Sequence, residues 1–239
     1  MSIETRILEY VVDGIVCEAL LAWNNDAASA RPGVLVSHAW GGRGDFEDGK
    51  ARKLAELGYV GFAIDVYGKG KRGQSPEENA ALMQPLLEDR PALQRRLLAA
   101  VETLRQQPEV DGDKIGAIGF CFGGLCVLDL ARSGADIAGV VSFHGLFNAP
   151  GNTVGNTIRA KVLALHGWDD PMATPEQAVA LAEELTSMGA DWQLHGYGNT
   201  MHAFTNPEAN APGSGTVYSP VADARSWNAM TNFLSEIFS

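Results

Sequence analysis

A cysteine flanked by glycines, set between a strand-like run and a helix-like run, constrains this chain more than any other feature. Ile115-Gly116-Ala117-Ile118 is apolar, Gly119-Phe120-Cys121-Phe122-Gly123-Gly124 follows, and residues 125–131 continue with helical character. Strand, Gly-x-Cys-x-Gly turn and helix form the pattern of a nucleophile elbow. The turn is so sharp that side chains two positions from its apex would strike neighbouring backbone, which is why glycines flank it. The apex side chain is thrust out at the end of the strand, beside a helix N-terminus whose partial positive charge favours a thiolate. Cys121 is therefore the candidate nucleophile. An inert buried thiol would need no glycines on both sides.

Two later segments supply the partners that such a nucleophile needs. His166-Gly167-Trp168-Asp169-Asp170-Pro171 follows the apolar run Val162-Leu163-Ala164-Leu165 and carries two carboxylates. Tyr197-Gly198-Asn199-Thr200-Met201-His202-Ala203-Phe204-Thr205-Asn206-Pro207 then places a histidine in a polar loop before the last helix-like stretch. Nucleophile, acid, histidine is the chain order of α/β-hydrolases. With Cys in the elbow and His-Ala-Phe-Thr-Asn-Pro after it, the chain resembles the dienelactone hydrolase family from about Arg31 to its C-terminus.

That resemblance implies a triad of Cys121, Asp170 and His202. Asp170 is preferred to Asp169 because the family loop reads Gly-x-x-Asp and Gly167 sets the count. It also implies an oxyanion hole from the backbone N–H groups of Phe122 and Ala39. Two positions depart from the family pattern. His38 stands where a glutamate touches the resting nucleophile, and Asn206 stands where an arginine binds the substrate carboxylate. The first departure suggests a thiolate–imidazolium resting state, and the second a neutral substrate. His38, Trp40, Phe143, His144, Trp168 and Phe204 adjoin these motifs and are the expected lining of a partly apolar substrate pocket.

The expected chemistry is hydrolysis of a carboxylic ester or lactone through a covalent thioester, with phosphotriesters as a side activity of the same oxyanion site. A different class of function stays open: a thiol redox or acyl-binding protein on the same scaffold, with Cys126 as a resolving thiol. A nucleotide-binding reading of Gly41-Gly42-Arg43-Gly44 fails for want of Gly-x-Gly-x-x-Gly or a P-loop Lys-Ser/Thr. Lys69, Lys71 and Arg72 read as a solvated charge run.

Composition narrows the partners. A net charge of −11 argues against nucleic acid, whose phosphates require a basic face. No apolar run is long enough to span a bilayer, no secretory signal opens the chain, and three cysteines fit a reducing compartment. The expectation is a cytoplasmic monomer or homodimer acting on a small molecule, with no cofactor and no metal, since no His/carboxylate cluster has ligand spacing.

The fold expected is α/β: a mainly parallel central sheet with helices on both faces and an N-terminal β-hairpin, as one domain over residues 1–239. Residues 3–12 and 15–22 form the hairpin around Asp13-Gly14. Strands are expected at 34–37, 59–64, 115–118, 138–143, 162–165 and 192–194. Helices are expected at 46–57, 76–88, 91–106, 175–188 and 221–238, several opening at proline.

Overall fold

The computed structural model describes residues 2–26 and 29–239. It has the α/β architecture expected, a mostly parallel central sheet flanked by helices, with the chain dividing into two compact units, residues 1–118 and 119–239.

The first unit opens with the hairpin of β1 (Ile3–Val12) and β2 (Ile15–Asn24), paired antiparallel with Val12 opposite Ile15. Asp13 and Gly14 both take positive φ, 52° and 75°, as a two-residue turn matched to strand twist demands. β2 pairs antiparallel with β4 (Val60–Ile64), which pairs in parallel with β3 (Arg31–Ser37). α1 (Asp45–Glu56) starts with three acidic residues that complement its dipole, and Glu47 accepts the Gly44 N–H at 2.9 Å. α2 (Pro76–Glu88) and α3 (Arg90–Arg105) are capped by Ser75 and Asp89, each followed within two residues by proline. β5 (Val110–Phe120) begins five residues before the apolar run that marks it in sequence, because Asp111-Gly112-Asp113 belong to the strand through backbone geometry rather than hydrophobicity.

The second unit carries β6 (Gly139–Phe143), β7 (Lys161–Gly167) and β8 (Trp192–Tyr197), all parallel, with Phe143 opposite Leu165 and Leu165 opposite His195. α4 (Phe122–Arg132) follows the elbow, α5 (Pro175–Ser187) joins β7 to β8, and α6 (Pro220–Ile237) closes the unit. Between β8 and α6 lie the two-residue strands β9 (Asn210–Ala211) and β10 (Thr216–Val217), absent from the sequence reading.

α4 is buried throughout, and its last residue, Arg132, is fully buried as well. The guanidinium grips Glu184 of α5 with two bonds, at 2.9 and 2.7 Å, contacts Asp129 at 3.3 Å and donates to the Phe147 carbonyl at 2.9 Å. That clamp fixes the helix behind the elbow to the helix behind the acid loop. Parallel strands bring every chemically active loop of this unit to their carboxyl ends.

Candidate active site

Cys121 sits between β5 and α4 with φ 56° and ψ −116°, a strained conformation for a non-glycine residue. The strain is enforced by packing. A Cβ on Gly119 would lie 2.0 Å from the Gly123 carbonyl oxygen, so only glycine permits the return of the chain into α4. Cys121 is partly exposed, whereas Cys17 and Cys126 are wholly buried. Burial also pushes the Cys17 thiol up to about 11, so it stays protonated and inert. Cys126 lies five residues on, inside α4.

The acid loop leaves β7 through Gly167. A Cβ there would meet the Thr200 and Met201 carbonyl oxygens at 2.6 and 2.7 Å, so glycine lets this loop lie directly against the histidine loop. Backbone bonds lock the two together: Trp168 N–H to Tyr197 O at 2.9 Å, and Asp169 N–H to Thr200 O at 3.0 Å. As a result Asp170 is buried and its Oδ2 accepts from His202 Nδ1 at 2.7 Å, while its Oδ1 accepts the Met172 N–H at 2.8 Å. Asp169 is exposed. His202 itself is held by its backbone, donating to Gly215 O at 2.9 Å and accepting from Val217 N–H at 3.0 Å.

With Nδ1 taken by Asp170, only Nε2 is left to meet another group. It is buried and makes no hydrogen bond of normal geometry in this resting state. Its electrostatics still register the sulfur. Burial alone would depress the imidazole, but the Cys121 charge and the bond to Asp170 outweigh it and raise His202 to about 10.

His144, at the end of β6, is 2% exposed and adopts φ 38°. Its Nδ1 accepts the Cys121 N–H at 3.1 Å, its Nε2 lies 2.8 Å from Thr205 Oγ1, and its ring stands edge-on to His202 at 5.1 Å. His166 at the end of β7 is fully buried against Phe147 and Trp168, and neither ring nitrogen finds a hydrogen-bond partner. Burial lowers its pKa, with Asp170 opposing and His202 adding to the shift.

The expected pocket lining divides by burial. Phe143, Phe204 and His144 are buried to 2% exposure or less; Phe143 stacks on Phe120 and Phe204 packs edge-on to His144, so they form the packing beneath the site. His38, in the first unit, is likewise fully buried. Its Nδ1 donates to the Ala39 carbonyl at 2.6 Å and its Nε2 accepts the Val66 N–H at 3.2 Å, which fixes a neutral tautomer whose pKa burial lowers. These bonds brace its loop against the segment after β4. Trp40 and Trp168 are the two members of that expected lining open to solvent, at 37% and 43% exposure. Ala39 N–H donates to the buried Glu47 carboxylate at 3.3 Å and must leave that partner to serve any other acceptor.

The cations near the motifs are committed elsewhere. Arg43 binds Asp48 at 2.9 Å and Glu18, and Lys69 pairs with Glu9 and Glu18. Asn206 uses its side-chain oxygen to accept the Glu208 N–H at 3.0 Å, closing the turn after the histidine loop.

A strained elbow thiol, a buried Asp–His pair and a parallel sheet ending at these loops define an α/β-hydrolase. The chain belongs to the dienelactone hydrolase family, whose model matches residues 17–238, and is a carboxylic ester hydrolase acting on esters or lactones. It is 38% identical, with a TM-score of 0.94 over 100% of both chains, to a dienelactone hydrolase-like promiscuous phosphotriesterase from metagenomic libraries. It is 27% identical to a putative carboxymethylenebutenolidase of Aquifex aeolicus, over 95% of this chain and 96% of that one. A probable 2-oxo-3-(5-oxofuran-2-ylidene)propanoate lactonase of Bradyrhizobium is 28% identical over 95% of this chain and 94% of its own. No helix among the described residues is long and apolar enough to cross a membrane.

Proposed function

We propose that the chain hydrolyses neutral carboxylic esters or lactones through a Cys121–His202–Asp170 triad and a covalent thioester. The observation that carries this reading is the buried 2.7 Å bond between Asp170 and His202 Nδ1, with an imidazole raised to about 10 chiefly by the Cys121 charge. The thiolate attacks the carbonyl carbon, and the developing oxyanion is held by the Phe122 N–H. That group lies in the first turn of α4, where backbone donors look outside the helix for acceptors. Ala39 is the expected second donor, once released from Glu47. The C–O bond breaks and the alkoxide leaves with the proton of the His202 imidazolium. Water then gives a proton to His202 as its oxygen attacks the thioester; the C–S bond breaks, releasing the acid and restoring the thiolate. Asp170 keeps the imidazole in the required tautomer throughout.

Neutral substrates are favoured because Asn206 replaces the family's carboxylate-binding arginine and spends its side chain on the Glu208 N–H. The net charge of −11 also repels anions at long range. A second activity, hydrolysis of aryl dialkyl phosphates, is favoured by the likeness at 38% identity to a protein described as a promiscuous phosphotriesterase. The test is p-nitrophenol release from a short-chain neutral ester by wild type and Cys121→Ala. Turnover lost in the variant is the expected result, and turnover surviving it would remove Cys121 as nucleophile. Phenol release from an aryl dialkyl phosphate that persists unchanged in Cys121→Ala would overturn the second activity as one of this site.

A further inference from the structure

His144 has no part in the triad, yet it is the side chain that touches both sides of it. Its Nδ1 lies 3.1 Å from the backbone nitrogen of Cys121. A backbone N–H can only donate, so Nδ1 must be the unprotonated nitrogen. The ring proton therefore sits on Nε2, which donates to Thr205 Oγ1 at 2.8 Å. Thr205 is three residues beyond His202 on the same loop. One imidazole thus joins the nucleophile turn to the base loop across 23 residues in one direction and 61 in the other.

The ring is also caged. Phe204 stands edge-on at 5.0 Å, Phe120 lies at 6.1 Å, and His202 packs at 5.1 Å with an interplanar angle of 68°. The His144 backbone is held at φ 38°, a conformation few side chains accept, and its N–H donates to the Leu165 carbonyl at 2.8 Å. A strained, buried and fully bonded histidine beside a strained nucleophile is a costly arrangement that packing alone does not require, since an aromatic hydrocarbon would fill the same volume.

We propose that His144 is a positioning residue that clips the Cys121 turn to the His202 loop, its ring fixed as the Nε2–H tautomer between the Cys121 N–H and the Thr205 hydroxyl. The inference rests on the Cys121–His202 reading above. The Cys121 N–H also reaches the Phe143 carbonyl at 3.1 Å, so loss of His144 loosens the turn without releasing it. A loosened turn lets the sulfur drift from the imidazole and from the N-terminus of α4, and the proton returns to sulfur.

The test compares His144→Phe, which keeps the packing and loses both bonds, with His144→Asn. Asparagine places an acceptor at the same δ position and tolerates positive φ. Two readouts are taken: the pH profile of Cys121 alkylation by iodoacetamide, which needs no substrate, and kcat and KM on a p-nitrophenyl ester. For His144→Phe the thiolate midpoint is expected to rise by about one pH unit and kcat to fall about tenfold, with KM little changed. His144→Asn is expected to recover most of both. Thr205→Val is expected to lose a smaller part, and combining it with His144→Phe to cost nothing further, since the two residues act as one unit. A His144→Phe protein with wild-type midpoint and kcat would overturn the proposal. So would a silent Thr205→Val, which also decides the matter should the His144 variants fail to fold. If wild type hydrolyses no ester, the hydrolase reading falls while the alkylation profile still judges the clip.

Discussion

Replacing Asp170 by asparagine tests the electrostatic logic of the site most directly. In the folded protein His202 is raised to about 10 with the thiolate beside it. An ordinary thiol titrates near 8.5, below that value, so the pair favours the proton on the imidazole. Cys121 should thus rest as a thiolate over the whole neutral range, and lose that character only on the acid side. The Asp170–His202 bond is buried and charge-assisted at 2.7 Å. Bonds of that kind contribute about 1.5–3 kcal/mol, which is about one to two units of imidazole pKa. Removing the charge while keeping the shape should therefore take back most of that preference. The assay is the ultraviolet absorbance of the thiolate against pH, corrected with Cys121→Ala, alongside the iodoacetamide rate. Wild type should keep its thiolate signal well below pH 8.5, and Asp170→Asn should show a midpoint shifted up by at least one unit. Turnover should fall by about 10³–10⁴, the usual cost of losing the orienting carboxylate. A wild-type midpoint near 8.5, unchanged in Asp170→Asn, would refute the reasoning outright.

Three further outcomes follow from other parts of the structure. Asp169→Asn, at an exposed position one residue away, should leave turnover within about twofold of wild type in the same ester assay, because the carboxylate bonded to His202 is that of Asp170. Arg132→Ala strips the buried Asp129 carboxylate of its guanidinium and cuts α4 from α5, and should cost about 3–5 kcal/mol in urea unfolding; a cost under about 1 kcal/mol would contradict the clamp. His166→Leu removes two buried nitrogens that have no partner, so stability at pH 7 should hold or rise by about 1–3 kcal/mol. Its acid limb should change as well. Burial lowers the folded pKa of His166 below the unfolded value, so the unfolded chain binds the extra proton first, and wild-type stability falls as pH drops below about 6.5. His38 contributes in the same sense, and His166→Leu should therefore flatten the slope of chemical-denaturation midpoint against pH without abolishing it.

What was legible in the sequence shares one property: it depends on residue type at short spacing. The elbow was readable because a turn that sharp excludes a Cβ at Gly119, and the loop after β7 was readable from Gly167, where a Cβ would strike the Thr200 and Met201 carbonyls. The starts of α2 and α3 were readable from Pro76 and Pro91, which sit in the first turn of each helix. The features that escaped are made of backbone or of distant pairs. β5 runs from Val110 although only its second half is apolar, and the β9–β10 ladder lies in a Gly/Pro/Ser-rich stretch with no strand pattern.

The histidines show the same limit from the other side. His38, His144, His166 and His202 are all buried, and sequence context alone distinguished His202. What separates the four is where their nitrogens point. His202 gives Nδ1 to a carboxylate, His144 spends both nitrogens between the nucleophile turn and Thr205, His38 spends both on backbone, of Ala39 beside it and of Val66 after β4, and His166 has neither engaged. Motif spacing says which residue can reach a site. Only the bonding of each ring decides whether a buried imidazole accepts a proton, braces a loop or holds another residue in place. The charge that raises an imidazole here is that of Cys121 acting on His202, and the bond from Asp170 adds to it.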